Sequence, residues 1–71
     1  MTSKAFPIII NGETRELPAP SSLAQLVSTL GLKPEQVAIE LNQVVIRRSL
    51  WESTMLKEDD RLEIVHFVGG G

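Results

Sequence analysis

Residues 21–34 read SSLAQLVSTLGLKP, and this stretch decides the architecture. Leu23, Leu26, Val27 and Leu30 recur at i, i+3, i+4 and i+7, which sets them along one face of a helix. Ser22 followed three residues later by Gln25 is a capping-box pattern, with Ser21 as the alternative cap. Gly31 stands where a left-handed C-cap is wanted, and Pro34 bars continuation. The spacing predicts one amphipathic helix of about ten residues. Its apolar face has to be covered, and the segments on both sides read as strands.

Upstream, AFPIIING is short and β-branched and ends in Asn11-Gly12, a strong hairpin signal. ETREL follows as the partner strand, ended by Pro18 and Pro20, which cannot donate to a ladder. A hairpin from about Ala5 to Leu17 results. Downstream, VAIEL alternates, with Val37, Ile39 and Leu41 facing one way and Ala38 and Glu40 the other. Asn42-Gln43 can turn the chain into a short VVI strand. RRSLWESTML is irregular, with one helical turn expected around Trp51. KEDD is a polar turn, and RLEIVHFV is the last strand. The order is therefore β-β-α-β-β-β: an α+β arrangement in which a mixed sheet packs on one main helix. This is the order of a β-grasp, or ubiquitin-like, fold, in which the first and last strands lie side by side and parallel in the middle of the sheet. Residues 1–67 form one domain in this reading, and residues 68–71 a flexible glycine tail.

A chain of 71 residues supports one modest core, and 42% hydrophobic residues are enough to build it. With no cysteine, disulfides, thiolate metal sites and thiol nucleophiles are excluded. The net charge of −2 and the scattered lysines and arginines argue against nucleic acid, which needs a concentrated basic face. No apolar run has the length of a membrane span, and MTSKAFPIII lacks a signal-peptide core, so a cytoplasmic protein without membrane contact is expected.

The last strand carries the functional inference. Leu62 and Ile64 alternate with Arg61 and Glu63, so the first pair should face the core and the second water. Continuing the alternation puts His66 on the inner side and Val65 and Phe67 on the solvent side. Apolar residues paired on one face beside a glycine tail suggest a docking patch, extended by Val68. Gly69, Gly70 and Gly71 follow. Three residues reach about 10 Å at full stretch, and without side chains they can thread a narrow channel. What they deliver is the α-carboxylate of Gly71. A carboxylate is a poor electrophile and becomes an acyl donor once ATP has converted it to an acyl-adenylate. A frayed terminus is the plain alternative.

Across IIINGETREL, SSLAQLVSTLGL, VAIELNQVVI, the Arg48-Ser49-Leu50-Trp51 segment and DRLEIVHFVGGG, the sequence resembles the ThiS-type sulfur carriers of thiamine biosynthesis. These stretches cover nearly the whole chain. Two positions depart from the family pattern: Asp59 stands where glycine is frequent, and Arg47 where proline is common. The resemblance implies a protein substrate and not an enzyme. A ThiF-type adenylyltransferase would use MgATP to adenylate Gly71, the chain itself binding no cofactor. A sulfur donor such as a cysteine desulfurase would then supply the sulfur of a thiocarboxylate, and thiazole synthase would consume it. A sister carrier, such as the small subunit of molybdopterin synthase or a ubiquitin-like modifier, shares the tail logic. A β-grasp binding module with an incidental tail is the alternative from a different class.

Other residues have plainer expectations. His66 lacks a recognisable catalytic partner and is expected to pack or hydrogen-bond. Trp51 is expected to anchor the irregular segment. Arg47, Arg48 and Lys57 read as a solvated face. Glu58-Asp59-Asp60 lacks the ligand spacing of a calcium loop.

Overall fold

The computed structural model describes residues 5–17 and 20–67. Strands β1 (Phe6–Ile10) and β2 (Glu13–Leu17) form the expected antiparallel hairpin, in register from Phe6↔Leu17 to Ile10↔Glu13. Its turn is Asn11-Gly12, with φ of 51° and 83°. Positive φ at both central residues gives the twist that matches the flanking strands. Pro18, one of the two predicted strand stops, lies outside the described residues.

Helix α1 (Leu23–Thr29) has the predicted capping box: Gln25 N–H donates to Ser22 Oγ at 3.1 Å, and Ser22 N–H donates to Gln25 Oε1 at 2.9 Å. At the other end Leu32 N–H reaches Val27 O and Gly31 N–H reaches Ser28 O, both at 3.0 Å. This is a Schellman closure, and it needs the left-handed φ of 74° at Gly31. The helix proper has seven residues against the ten expected, because Ser22 and Leu30 belong to its caps.

A 3₁₀ turn, Pro34–Gln36, leads into β3 (Val37–Leu41), which pairs antiparallel with β4 (Val44–Ile46). Asn42 and Gln43 form the turn with φ of 51° and 73°. The segment RSLWES (Arg48–Ser53) is a 3₁₀ helix, longer than the single turn expected. Strand β5 (Arg61–His66) closes the sheet, whose order is β2-β1-β5-β3-β4. As predicted, the first and last strands are parallel neighbours at its centre, in register at Ile9↔Arg61 and Ile10↔Leu62.

The core lies between α1 and the inner face of the sheet. Ile8, Leu23, Val27, Ile39 and Leu62 are fully buried, joined by Leu26, Val37, Leu56 and Trp51. Trp51 also satisfies its indole N–H on Ile46 O at 2.9 Å, which fixes the 3₁₀ helix to the end of β4. Asp59 takes a φ of 67°, so the position where glycine is frequent in the resembled family does require a left-handed residue. No helix among the described residues is long and apolar enough to cross a membrane.

Candidate functional site on the last strand

Strand β5 is held on both sides, and its neighbours fix where its side chains go. Leu62 is buried and Ile64 half-buried on the inner face, while Arg61, Glu63 and Val65 are exposed on the outer face. Cross-strand partners share a face, so Ala38 lies beside Val65 and Glu40 beside Glu63. Val45 of β4 stands opposite Glu40 from the other side. The outer face thus has an acidic middle, Glu40 and Glu63, and an apolar end, Ala38 and Val65.

Beyond the strand, Phe67 N–H donates to Gln36 O at 2.8 Å, so the chain tracks β3 one residue past β5. Val65 is 54% exposed and Phe67 48% exposed, which leaves about half of each side chain available to a partner. Val68, Gly69, Gly70 and Gly71 lie outside the described residues.

His66 has the predicted inward parity but is exposed. It lines a shallow cleft of about 240 Å³ with Asn11, Arg15, Leu30, Leu32 and Ile64. The cleft sits where the β1–β2 turn, the C-terminus of α1 and the end of β5 come together. Arg47, Arg48 and Lys57 are exposed, as a solvated face requires. Asp60, from the acidic run at 58–60, is buried and structural: its Oδ2 accepts Lys57 N–H at 2.7 Å and its Oδ1 accepts Asn42 Nδ2 at 3.0 Å. Among the described residues no group of three or more His, Cys, Asp or Glu is placed to hold a metal ion.

Two residues escape a reading of the sequence alone. Asn11 and Asn42 are hairpin-turn residues by motif, yet both side chains bind the backbone of β5. Asn11 Oδ1 accepts Ile64 N–H at 2.8 Å, and its Nδ2 donates to Ile64 O at 3.2 Å. Asn42 Oδ1 accepts Arg61 N–H at 3.0 Å. The available signal was topological: once β5 is placed between β1 and β3, each turn necessarily abuts one end of it.

The family model described as "ThiS family" matches residues 8–71, a span that includes all of β5 and the glycines after it. The chain belongs to the ThiS family. A thiazole synthase of Magnetococcus marinus is 44% identical over 64 residues, which cover 90% of this chain and 20% of that protein. The chain thus spans about one fifth of the length of that relative. An uncharacterized protein ycf40 of Pyropia yezoensis is 42% identical over 71 residues, the whole of both chains. Among solved structures, the crystal structure of a thiamine biosynthesis protein (ThiS) from Geobacter metallireducens superposes with a TM-score of 0.80 at 29% identity, covering 93% of this chain and 100% of that one. The β-grasp architecture of this ThiS-family chain is therefore that of a solved ThiS protein.

Proposed function

We propose that this chain is a sulfur carrier of thiamine biosynthesis, and that the group it offers is the Gly71 carboxylate. The observation that carries the reading is the match of the ThiS family model to residues 8–71, body and glycines together. The similarity to a thiazole synthase supports the thiamine route over the sister carriers and the binding module.

The chemistry follows from what a carboxylate lacks. A Gly71 oxygen attacks the α-phosphorus of ATP on an adenylyltransferase of the ThiF type, and pyrophosphate leaves with magnesium. The acyl-adenylate then has a good leaving group. The outer sulfur of a persulfide, formed by a donor such as a cysteine desulfurase, attacks the acyl carbon and AMP departs. A second thiol attacks the donor's sulfur in the resulting acyl disulfide, which ends as a disulfide between that thiol and the donor and frees the thiocarboxylate, the nucleophile that thiazole synthase consumes. The chain supplies no catalytic group in this scheme and binds no cofactor of its own. Val65 and Phe67, with Val68, are the residues assigned to docking, and Gly69 and Gly70 those assigned to threading the partner's channel.

Intact mass after incubation with the activating enzyme, MgATP and a sulfur donor tests this reading. Replacement of one oxygen by sulfur adds about 16 Da at an activated acyl group, and fragmentation is expected to place it on Gly71. Deletion of Gly71 is expected to abolish the gain while the fold is retained. An unchanged mass with an enzyme verified on its own carrier overturns the reading and favours the binding module.

A further inference from the structure

We infer that Asn11 is a positioning residue that sets the point past which β5 is held from one side only on its way towards the reactive end of the chain. This rests on the carrier reading for its functional consequence, and on geometry for the rest. The parallel ladder between β1 and β5 ends at Ile10↔Leu62. Asn11 N–H still reaches Leu62 O at 2.9 Å, but β1 then turns away at Asn11-Gly12 and offers no backbone to Ile64. The Asn11 side chain takes over that missing rung. Its amide gives Ile64 an acceptor for N–H and a donor for C=O, as a neighbouring peptide group would. Only one orientation of the amide satisfies both bonds.

The consequence is a boundary. Up to Ile64, β5 is held from both sides. From Val65 onward it is held by β3 alone, through the Ala38↔Val65 and Val37↔His66 pairs and the Phe67 bond to Gln36. Gly71 stands seven residues past Ile64 in the sequence. At full extension that is about 23–25 Å of chain. Without the Asn11 rung, one-sided support begins just past Leu62 and not past Ile64, and pairing at Val65 to Phe67 opens more easily. A partner then has to order those residues itself, which weakens binding and leaves the chemical step alone.

The molecule supplies a matched control. Asn42 clamps the opposite end of β5 at Arg61 and shares the φ of 51° found at Asn11. Glycine adopts that φ freely, so Asn11→Gly and Asn42→Gly each delete a side chain with the same backbone change. Both variants are expected to melt below the parent. Asn11→Gly alone is expected to lose amide-exchange protection at Phe67 and to raise KM in carrier adenylation about three- to tenfold, the size of one to two lost hydrogen bonds, with kcat unchanged. Asn42→Gly is expected to keep the parent KM. If Asn11→Gly does not fold, Asn11→Asp keeps the acceptor for Ile64 N–H and loses the donor to Ile64 O, and its KM and Phe67 protection are read against the parent and Asn42→Gly. Equal KM and equal Phe67 protection in the paired variants overturn the assignment. Failure of the parent chain to be adenylated sinks the carrier reading instead, and the exchange measurement still decides whether Asn11 sets the boundary.

Discussion

Asn42 and Asp60 meet at 3.0 Å, Nδ2 donating to Oδ1, and through that bond the β3–β4 turn is tied to the start of β5. Asp60 is only 7% exposed and its second oxygen takes Lys57 N–H at 2.7 Å. Its own backbone accepts Ile9 N–H at 2.9 Å, which connects the same knot to β1. Asp60→Ala removes two part-buried hydrogen bonds, a loss of about 1–2 kcal/mol. Thermal denaturation should show a midpoint lower by roughly 4–8 °C per kcal/mol lost in a domain of this size. Asp60→Asn keeps one acceptor and is expected to lose less. An Asp60→Ala protein that melts with the parent would show that these bonds contribute nothing net.

Arg47 follows β4 with φ −62° and ψ 145°, which are proline's own dihedrals. The two-residue turn makes Leu41↔Val44 a hydrogen-bonded pair, and alternation then points the N–H of Arg47 away from β3 at an open edge. The residue before it, Ile46, is extended, as proline requires of its predecessor. Arg47→Pro therefore loses no ladder bond and restricts the unfolded chain. Denaturant titration is expected to give a gain of about 0.4–1 kcal/mol. A loss would mean that the Arg47 side chain or N–H has a stabilising role.

The elements of this fold were legible because each carries a local signal. The capping box at Ser22, the Schellman glycine at Gly31 and the Asn11-Gly12 turn state their backbone geometry in their side chains. The period of β5 placed Val65 on the outer face for the same reason. The side-chain clamps were not legible. Asn11 lies 53 positions from Ile64, and its pairing with β5 depends on where a parallel crossover ends, which no local pattern encodes. Asp60 illustrates the same limit: by composition it belongs to a solvated acidic turn, and only its tertiary neighbours make it a buried hub. The helix came out shorter than its apolar repeat because caps share that repeat.

Gln43 occupies the second turn position between β3 and β4 with φ 73°, where a residue bearing Cβ is strained. The equivalent position in the first hairpin is Gly12. Gln43→Gly relieves the left-handed strain and gives back part of the gain as unfolded-state entropy. Equilibrium unfolding is expected to show a net gain of about 0.5–1 kcal/mol. The opposite sign would mean that Gln43 makes a compensating contact through its side chain.

Glu40 and Glu63 are directly paired across β3 and β5 on the outer face, like charges in cross-strand register. Such a pair is destabilising by about 0.2–1 kcal/mol relative to a neutral one, and salt screens it. Glu40→Gln should raise stability in dilute buffer, and the gain should shrink as ionic strength increases. Urea titrations at low and high salt measure both. A gain independent of salt would locate the effect in packing or propensity and not in charge.

Val65 and Phe67 separate docking from stability. Each exposes about half of its side chain, so Val65→Ser and Phe67→Ser remove only half of the burial that a core residue would lose. Neither is among the buried core residues. Loss of that half-burial should cost about 1 kcal/mol, below the roughly 2–5 kcal/mol of a core truncation. Binding should respond quite differently if these residues anchor a partner. Removing an anchor typically loses about 2 kcal/mol or more, a drop of roughly thirtyfold in affinity. Calorimetry of each variant against the activating enzyme reads that drop directly, with Val45→Ser as the control, exposed on the same face but two strands away from β5, on the far side of β3. Should Val65→Ser and Phe67→Ser bind as the parent does, docking has to be sought elsewhere on the surface, and the carrier assignment, which rests on the family match over residues 8–71, would be unaffected.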